Sequence, residues 1–377
     1  MLTVDRDRIL AFRVQSHHLG ARLPADRLAE AAGACGVQDT PAGSSRAALH
    51  ARVELTAARL DRAFADRTLV LVWSVRGAPY VVPAADLGVF TVGALPADEE
   101  SFRTFLAGAG AEVDRWDRAP AAVLDQVVAA MTGALGDGVL AKGPLSTAVT
   151  AALPEVAAWC GSCRVRHLPE GLFRGPGLRG AVVLTAGADD GALTRTERWL
   201  GRPVPEVDAD TARAELARRY LHCYGPATPT HFAEWTQRSR ADARRAFDLL
   251  GDELVEVRAE GRRAVLLAAD EAALTAPPAA AGVRLLPPGD PYVQQRDRAV
   301  LLPDRAQRSA VWRPVGGPGV VLIDGRVVGT WRARKRSTTL AVTVTPFGSL
   351  PDSDLDAEAT GLARLRGCAS ADLTVES

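Results

Sequence analysis

The chain almost entirely lacks lysine: Lys142 and Lys335 are the only two among its 45 Lys and Arg residues. It also lacks net charge, because 45 Asp and Glu residues balance the basic ones. A neutral chain has no global field that would draw it to a polyanion, so any binding to nucleic acid must come from local basic patches. The preference for arginine indicates no function, since the base composition of the gene can produce it.

Targeting and membrane-spanning segments are lacking as well. The first residues carry Asp5, Arg6, Asp7 and Arg8 and no apolar core of a signal peptide. No uncharged run approaches the length of a membrane span. The five cysteines are odd in number and scattered, which argues against a disulfide framework. We therefore expect a soluble, cytoplasmic, monomeric protein of two or three packed units, with no membrane contact.

The order of helical and strand-like segments predicts an α+β fold. Apolar periodicity predicts helices at 5–16, 26–35, 44–53 and 56–65, followed by β-rich runs at 68–75 and 79–82. Helices followed by a two-stranded hairpin are typical of a winged helix. The same order recurs with helices at 210–223, 230–237 and 239–250 and strands at 254–259 and 263–267. Short helices are predicted at 145–153 and 154–163, and a strand at 180–184.

The C-terminal third is β-rich. Strands are predicted at 283–286, 311–313, 320–323, 326–332 and 339–345, with a helix at 353–365 and a short run at 372–375. The Asp324-Gly325 pair between two apolar runs predicts a hairpin. We expect four domains: a first winged-helix unit with following helices (1–135), a second winged-helix-like unit (136–205), a third winged-helix unit (206–276) and a small C-terminal β-barrel (283–377).

One turn between two helices is a candidate site. The helix at 26–35 ends before Gly36, and Gln38 follows in a connection that we expect to be exposed. Asp39, Thr40 and Pro41 are turn formers, so the chain leaves the helix sharply. A glutamine amide at such a corner can orient a water or read a base edge. It can equally be a solvated loop residue.

Several segments, in order along the chain, resemble the AlkZ/YcaQ family of bacterial winged-helix DNA glycosylases: 36–40, 48–52, 75–77, 219–228, 285–287 and 321–331. The resemblance implies tandem winged helices with a C-terminal barrel, and double-stranded DNA as the partner. It also implies hydrolysis of the N-glycosidic bond of alkylated or cross-linked purines, without a cofactor.

The family's Gln-x-Gln or Gln-x-Asp motif, which activates the attacking water, falls on Gln38, Asp39 and Thr40. The resemblance therefore implies Gln38 as the residue that orients water, Thr40 as a weaker partner and Asp39 as a possible substitute. Thr40 departs from the family pattern, and so does Tyr80, where the family tends to place a histidine. Two alternatives stay open: a catalytically inactive DNA-binding regulator or damage-recognition protein, and a protein-interaction role without nucleic acid.

Two groups of cations are candidates for DNA contact. The first should crowd a hairpin tip after Trp331 and consists of Arg332, Arg334, Lys335 and Arg336. Such a cluster can neutralise phosphates, or it can simply keep a hairpin tip soluble. The second group comprises Arg240 and Arg244 with neighbouring arginines, on the predicted recognition helix of the third winged-helix unit. Interleaved Asp242 and Asp248 also fit an ordinary solvated helix face.

A pair of cysteines has the spacing of a redox or metal motif. Cys160-Gly161-Ser162-Cys163 resembles the thioredoxin-type sequence, but the residues before it are predicted to be helical, whereas that motif follows a strand. Together with His167 the pair supplies three possible zinc ligands and no obvious fourth. The sequence therefore predicts no metal site.

Overall fold

A computed structural model describes residues 1–106, 113–116, 118–186, 191–350 and 354–376. These residues form two compact units, each assembled from separate segments of the chain. Unit 1 contains Met1–Ala63, Arg218–His231 and Asp252–Ser377, and unit 2 contains Phe64–Ala217 and Phe232–Gly251. The four domain boundaries drawn along the sequence remain a prediction. None of the described helices has the length and apolarity that crossing a membrane requires.

Helices and strands are interspersed along the described chain. The first stretch contains β1 (Leu2–Val4), α1 (Arg6–Ser16), α2 (Leu28–Gly33), β2 (Val37–Gln38), α3 (Ser44–His50), α4 (Ala57–Ala65), β3 (Leu69–Trp73), β4 (Pro79–Pro83), α5 (Leu87–Phe90), α6 (Glu99–Phe105), α7 (Pro120–Leu135) and α8 (Lys142–Ala152). The middle contains β5 (Ala158–Cys160), β6 (Val165–His167), α9 (Glu170–Leu178), β7 (Val182–Leu184), β8 (Leu193–Arg195), α10 (Thr196–Leu200), α11 (Ala209–Tyr224), α12 (Pro229–Thr236) and α13 (Arg240–Asp248). The last stretch contains β9 (Leu254–Ala259), β10 (Arg262–Leu267), α14 (Glu271–Thr275), β11 (Val283–Leu286), α15 (Arg298–Leu301), α16 (Arg305–Val311), β12 (Gly319–Ile323), β13 (Arg326–Arg336), β14 (Thr339–Pro346), α17 (Leu355–Leu365) and β15 (Ser370–Val375).

Unit 1 begins with a helix packed against a small sheet. The carboxylate of Asp5 accepts a hydrogen bond from the Arg8 amide at 2.9 Å, which caps the start of α1. Ile9 and Phe12 of α1 share a buried cluster with Val257 and Leu266. These two residues come from the sheet β1-β9-β10, in which β1 runs parallel to β9 and β10 antiparallel to it. The predicted helix at 5–16 and the predicted strands at 254–259 and 263–267 are confirmed.

The C-terminal part of unit 1 is an open sheet with the strand order β11-β12-β13-β14-β15. Neighbouring strands are antiparallel except β14 and β15, which are parallel. The expected closed barrel is not found among the described residues, because β11 and β15 stand at opposite edges of the sheet. The predicted turn at Asp324 and Gly325 is confirmed, and both residues have the positive φ that a tight hairpin turn of this kind requires.

The segment between β11 and β12 is helical where a strand was predicted. The predicted strand at 311–313 is wrong, because α16 reaches Val311. Asp304 caps this helix by accepting a hydrogen bond from the Gln307 amide at 2.8 Å. The predicted helix at 353–365 is present from Leu355, and residue 353 lies outside the described residues.

Unit 2 contains a sheet in which β4, β3, β7 and β8 are neighbours in that order. Every residue of β3 is buried, as expected for a central strand. The predicted helix at 154–163 is wrong: a short 3-10 turn at Pro154–Val156 leads into the antiparallel hairpin β5-β6. The apolar residues of this segment gave a helical pattern, but at so short a length periodicity does not separate helix from strand.

Candidate functional site

The turn that follows β2 is organised by Asp39. One of its carboxylate oxygens accepts hydrogen bonds from the amide and the hydroxyl of Ser45, at 2.9 and 2.6 Å. The other oxygen accepts from the amide of Gly43 at 3.1 Å, and Gly43 has a φ of +79°. Asp39 therefore closes the turn and holds the start of α3, where a carboxylate is also favoured by the helix dipole.

Gln38 lies at the end of β2 with a half-buried side chain, whereas the sequence predicted an exposed position. Its Oε1 accepts a hydrogen bond from Nε2 of Gln294 at 3.0 Å. The same Gln294 nitrogen donates to the carbonyl of Gly289 at 2.9 Å. The Gln38 amide is therefore held in one orientation by a neighbour that is itself anchored to the backbone.

Gly289 allows this close approach. Its φ is +76°, and a Cβ placed there would lie 2.6 Å from the carbonyl oxygen of Thr40 and 3.9 Å from Nε2 of Gln38. The first distance is shorter than any normal contact, so a side chain at Gly289 would displace the turn. Thr40 itself is exposed, and among the described residues its hydroxyl has no hydrogen-bond partner. The turn thus brings Gln38, Asp39 and Thr40 together. Gln38 is held by Gln294, Asp39 closes the turn and Thr40 is exposed.

Gln294 was missed by sequence reasoning. It lies 256 residues from Gln38 and carries no recognisable motif of its own. The nearest segment that resembles the family is 285–287, which ends before Gln294. No pattern within that segment indicates which amide reaches the turn.

A buried ion pair fixes the two segments that carry this site. The guanidinium of Arg52, just after α3, donates to both carboxylate oxygens of Asp290 at 2.8 Å. The two side chains are 2% and 0% exposed. Burial lowers the pKa of Arg52, but the charge and hydrogen bonds of Asp290, together with smaller effects of Cys35 and Tyr224, outweigh it, so the pKa lies above its ordinary value. Removing one member of such a pair leaves an uncompensated buried charge and lowers the free energy of unfolding by about 3–5 kcal/mol.

A basic cleft opens beside the turn. It has a volume of about 540 Å³, and Pro41 and Gly43 of the turn line it. Its lining contains four cationic side chains and no carboxylate: Arg46, Arg332, Lys335 and Arg366. Arg366 lies 6.0 Å from the centre of the Trp331 ring, and burial lowers the pKa of its guanidinium. A cleft with this lining favours an anionic ligand.

The four cations predicted near a hairpin tip lie along the last residues of β13. All four side chains are exposed, and Arg332 also donates to the carbonyl of Gly316 at 2.7 Å. Only Arg332 and Lys335 line the cleft. Among the described residues no carboxylate pairs with Arg334, Lys335 or Arg336, so their charges are available to an external anion. Arg46 and Arg366 are cleft residues that the sequence did not single out.

Some of the arginines on and just before α13 are exposed without an ion-pair partner, and others are paired or buried. Arg240 and Arg244 are exposed, and no carboxylate among the described residues pairs with either. Arg245 pairs with Asp210 at 2.8 Å, and Arg238 is buried, where desolvation lowers its pKa to about 10. Asp242, which was expected on a solvated face, is buried as well. The exposed face therefore presents the two arginines that the sequence had selected.

Tyr80 lies on β4 in unit 2 and is 1% exposed. One nitrogen of the Arg76 guanidinium lies 3.4 Å from its hydroxyl. The side chain therefore acts as a packed core residue of that sheet.

Comparisons with known proteins agree on one family. The family described as "DNA glycosylase AlkZ-like" matches residues 31–365. The "Interstrand DNA cross-link repair glycosylase" of Streptomyces sahachiroi is 29% identical over 331 residues, which cover 82% of each protein. The solved structure of the Streptomyces sahachiroi DNA glycosylase AlkZ superposes with a TM-score of 0.78 over the full length of both chains, at 24% identity.

Proposed function

Because the chain belongs to the AlkZ-like DNA glycosylase family, we propose that it hydrolyses the N-glycosidic bond of alkylated or cross-linked purines in double-stranded DNA. The relative from Streptomyces sahachiroi carries a name that refers to interstrand cross-links, which supports the same substrate class for this chain. In this proposal the protein acts as a monomer without a cofactor, through tandem winged-helix units.

The reaction requires a positioned water. Cleavage of a glycosidic bond passes through an oxocarbenium-like transition state, and the water must attack the sugar carbon as the base departs. An alkylated purine is cationic and leaves easily, so the enzyme needs less acid catalysis than it would for an undamaged base. A residue that orients the water by accepting a hydrogen bond from it can therefore be enough, and the proton that the water loses passes to bulk solvent.

Gln38 is the residue to which we assign that role. The observation that carries the proposal is the restraint of the Gln38 amide by Gln294, at the start of a turn whose later residues line the basic cleft. An amide that is already oriented loses no further freedom when it binds water. Thr40, exposed in the same turn, supplies a second weak hydrogen bond to the water. Asp39 acts through the turn, because both its oxygens already accept hydrogen bonds.

Exposed cationic side chains would bind the phosphate backbone of the duplex. Arg332, Arg334, Lys335 and Arg336 on β13 would neutralise phosphates, as would Arg240 and Arg244 on α13. Guanidinium groups suit phosphate well, because their planar donors match two oxygens at once.

The test is single-turnover excision of N7-methylguanine from a duplex by the native chain, Gln38→Ala and Thr40→Gln. We expect excision to fall by about 10²-fold in Gln38→Ala, the loss associated with a misplaced reacting group. In Thr40→Gln we expect excision to rise, since a longer amide reaches the water better. Gln307→Ala, in which a partly exposed glutamine of α16 is truncated, is the matched control and should excise at the native rate.

A second function is favoured by Thr40, which stands where a carboxylate or amide was expected. It is a DNA-binding protein that recognises damage without excising it. Salt-dependent duplex binding by the native chain, with no excision of N7-methylguanine or of a cross-linked purine, would support this function and contradict the first.

A further inference from the structure

The hairpin β5-β6 in unit 2 brings three metal-binding side chains together. Cys160 ends β5, Cys163 lies in the connecting turn and His167 ends β6. In the antiparallel register Cys160 faces Val165 and Ala158 faces His167, so Cys160 and His167 project from the same face of the hairpin. The Arg164 amide donates to the Cys160 carbonyl at 2.8 Å and closes the turn around the cysteines.

The three donor atoms are close enough for a single ion. The two sulfurs and an imidazole nitrogen all lie within 4.8 Å of one another. In a tetrahedral zinc site, bond lengths of about 2.0–2.3 Å place the ligand atoms about 3.5–3.8 Å apart. Small side-chain rotations would therefore bring the donors to their bonding positions.

The histidine is already in the tautomer that a metal needs. Nδ1 of His167 lies 2.7 Å from the Leu168 carbonyl oxygen, which can only accept a hydrogen bond. Nδ1 is therefore the donor, so in the neutral imidazole Nε2 carries the lone pair that a metal can bind. A hydrogen bond from the second ring nitrogen to a backbone carbonyl is the usual support of a metal-bound histidine.

Cys160 has a polar neighbour in the turn: its sulfur lies 3.2 Å from the Ser162 hydroxyl. Cysteine binds a metal as its thiolate. Thiolate and imidazole donors together favour Zn²⁺ over Mg²⁺ or Ca²⁺, which prefer oxygen.

The strands of the hairpin bury little apolar surface of their own. Each strand has three residues, and Trp159 and Val165 are 61% and 52% exposed, so the hairpin contributes little to a core. An isolated two-stranded hairpin is at best marginally stable in water. A metal bound across the two strands would hold it, because the free energy of metal binding then adds to the free energy of folding.

We propose that Cys160, Cys163 and His167 bind one Zn²⁺, with the fourth position open to water or to an external donor. Cys163 is exposed, so the ion is reached directly from solvent. The site lies outside the residues that we assign to excision, and it stands or falls independently of that function.

The test measures metal on the full-length, untagged chain. We expect one zinc per chain after dialysis against limiting Zn²⁺, and a thiolate-to-metal charge-transfer band when Co²⁺ replaces it. Cys160→Ser and Cys163→Ser should each remove the band, and His167→Gln should weaken Co²⁺ binding by more than about 100-fold. Loss of a residue that only hydrogen-bonds to a metal ligand already lowers metal affinity by about 10–100-fold. Loss of a ligand itself should therefore lower it further.

Cys35→Ser is the matched control. Cys35 belongs to the other group of three metal-binding side chains among the described residues, with His17 and Cys223, and all three are buried. The control should keep the zinc and the cobalt band. The proposal is overturned if the chain binds no zinc and gives no cobalt band. It is also overturned if the band survives in Cys160→Ser, or if Cys160 and Cys163 form a disulfide in the chain purified under reducing conditions.

Discussion

Replacing Gln294 by alanine tests whether the orientation of Gln38 matters for excision. The substitution removes the 3.0 Å hydrogen bond to Gln38 and the 2.9 Å bond to the Gly289 carbonyl, but it leaves Gln38 and Thr40 in place. Gln294 is a positioning residue in our proposal, because it acts on the water only through Gln38. We therefore expect a smaller loss than in Gln38→Ala.

The size of the loss follows from the bond that is removed. A neutral hydrogen bond in a folded protein contributes about 0.5–1.5 kcal/mol. If all of it serves to orient Gln38 in the transition state, the rate should fall by about 2- to 13-fold, since about 1.4 kcal/mol corresponds to a factor of ten. This is below the loss of about 10²-fold expected when the residue that orients the water is itself removed.

The assay is single-turnover excision at saturating enzyme, with the dissociation constant of the duplex measured separately. Gln294→Ala should lower the rate and leave the dissociation constant and the melting temperature near the native values. The double variant Gln38→Ala/Gln294→Ala should be no slower than Gln38→Ala alone, because two residues that act through one water are not additive. Gln307→Ala again serves as the control.

Two results would refute this reasoning. A native rate in Gln294→Ala would mean that the hydrogen bond does not restrain a catalytically important amide. Fully additive losses in the double variant would mean that Gln294 acts by a route that does not pass through Gln38.

Three further predictions follow from the structure. Arg52→Met should lower the free energy of unfolding by about 3–5 kcal/mol in chemical denaturation, because it leaves a buried carboxylate without its partner; a change near zero would contradict the ion pair. Lys335→Ala should reduce the slope of log affinity against log salt by about 0.9, whereas Arg305→Ala, an exposed cation on α16 outside the cleft, should leave it unchanged. The hydrogen bond to Asp270 raises the pKa of His222, so this pair stabilises the fold below the ordinary histidine value and the effect is lost as pH rises through the raised value. His222→Gln should therefore destabilise the chain more at about pH 5.5 than at about pH 8.5, by under about 1 kcal/mol, because a 44% exposed side chain is screened by water.

Local signals predicted the local structure well. Asp5 marks the start of α1, and Asp324-Gly325 gives the tight turn between β12 and β13. In these cases the residue types that determine the conformation are neighbours in sequence. The hairpin around Cys160 was predicted as a helix, because a few apolar residues fit either period and the contact that decides between them is the pairing of β5 with β6.

The candidate site was predictable only in part for the same reason. The turn residues could be selected because they follow one another, and the family resemblance supplied their possible roles. The partner Gln294, the cleft cations Arg46 and Arg366 and the commitment of Asp39 to the turn depend on tertiary contacts. A single sequence carries no pattern for contacts between such distant segments. The barrel was expected from the β-rich pattern of the C-terminal third and from the family resemblance, and neither determines whether the edge strands meet.

The discontinuous make-up of unit 1 has a consequence for how the protein is made. The turn with Gln38 leaves the ribosome early, whereas Gln294 is added 256 residues later. At about 5–20 residues per second, the interval is about 13–50 s. During this time the first 63 residues lack the strands and ion-pair partners of segment 252–377, with which they form one unit. The hydrogen bond that restrains the Gln38 amide therefore forms only near the end of synthesis.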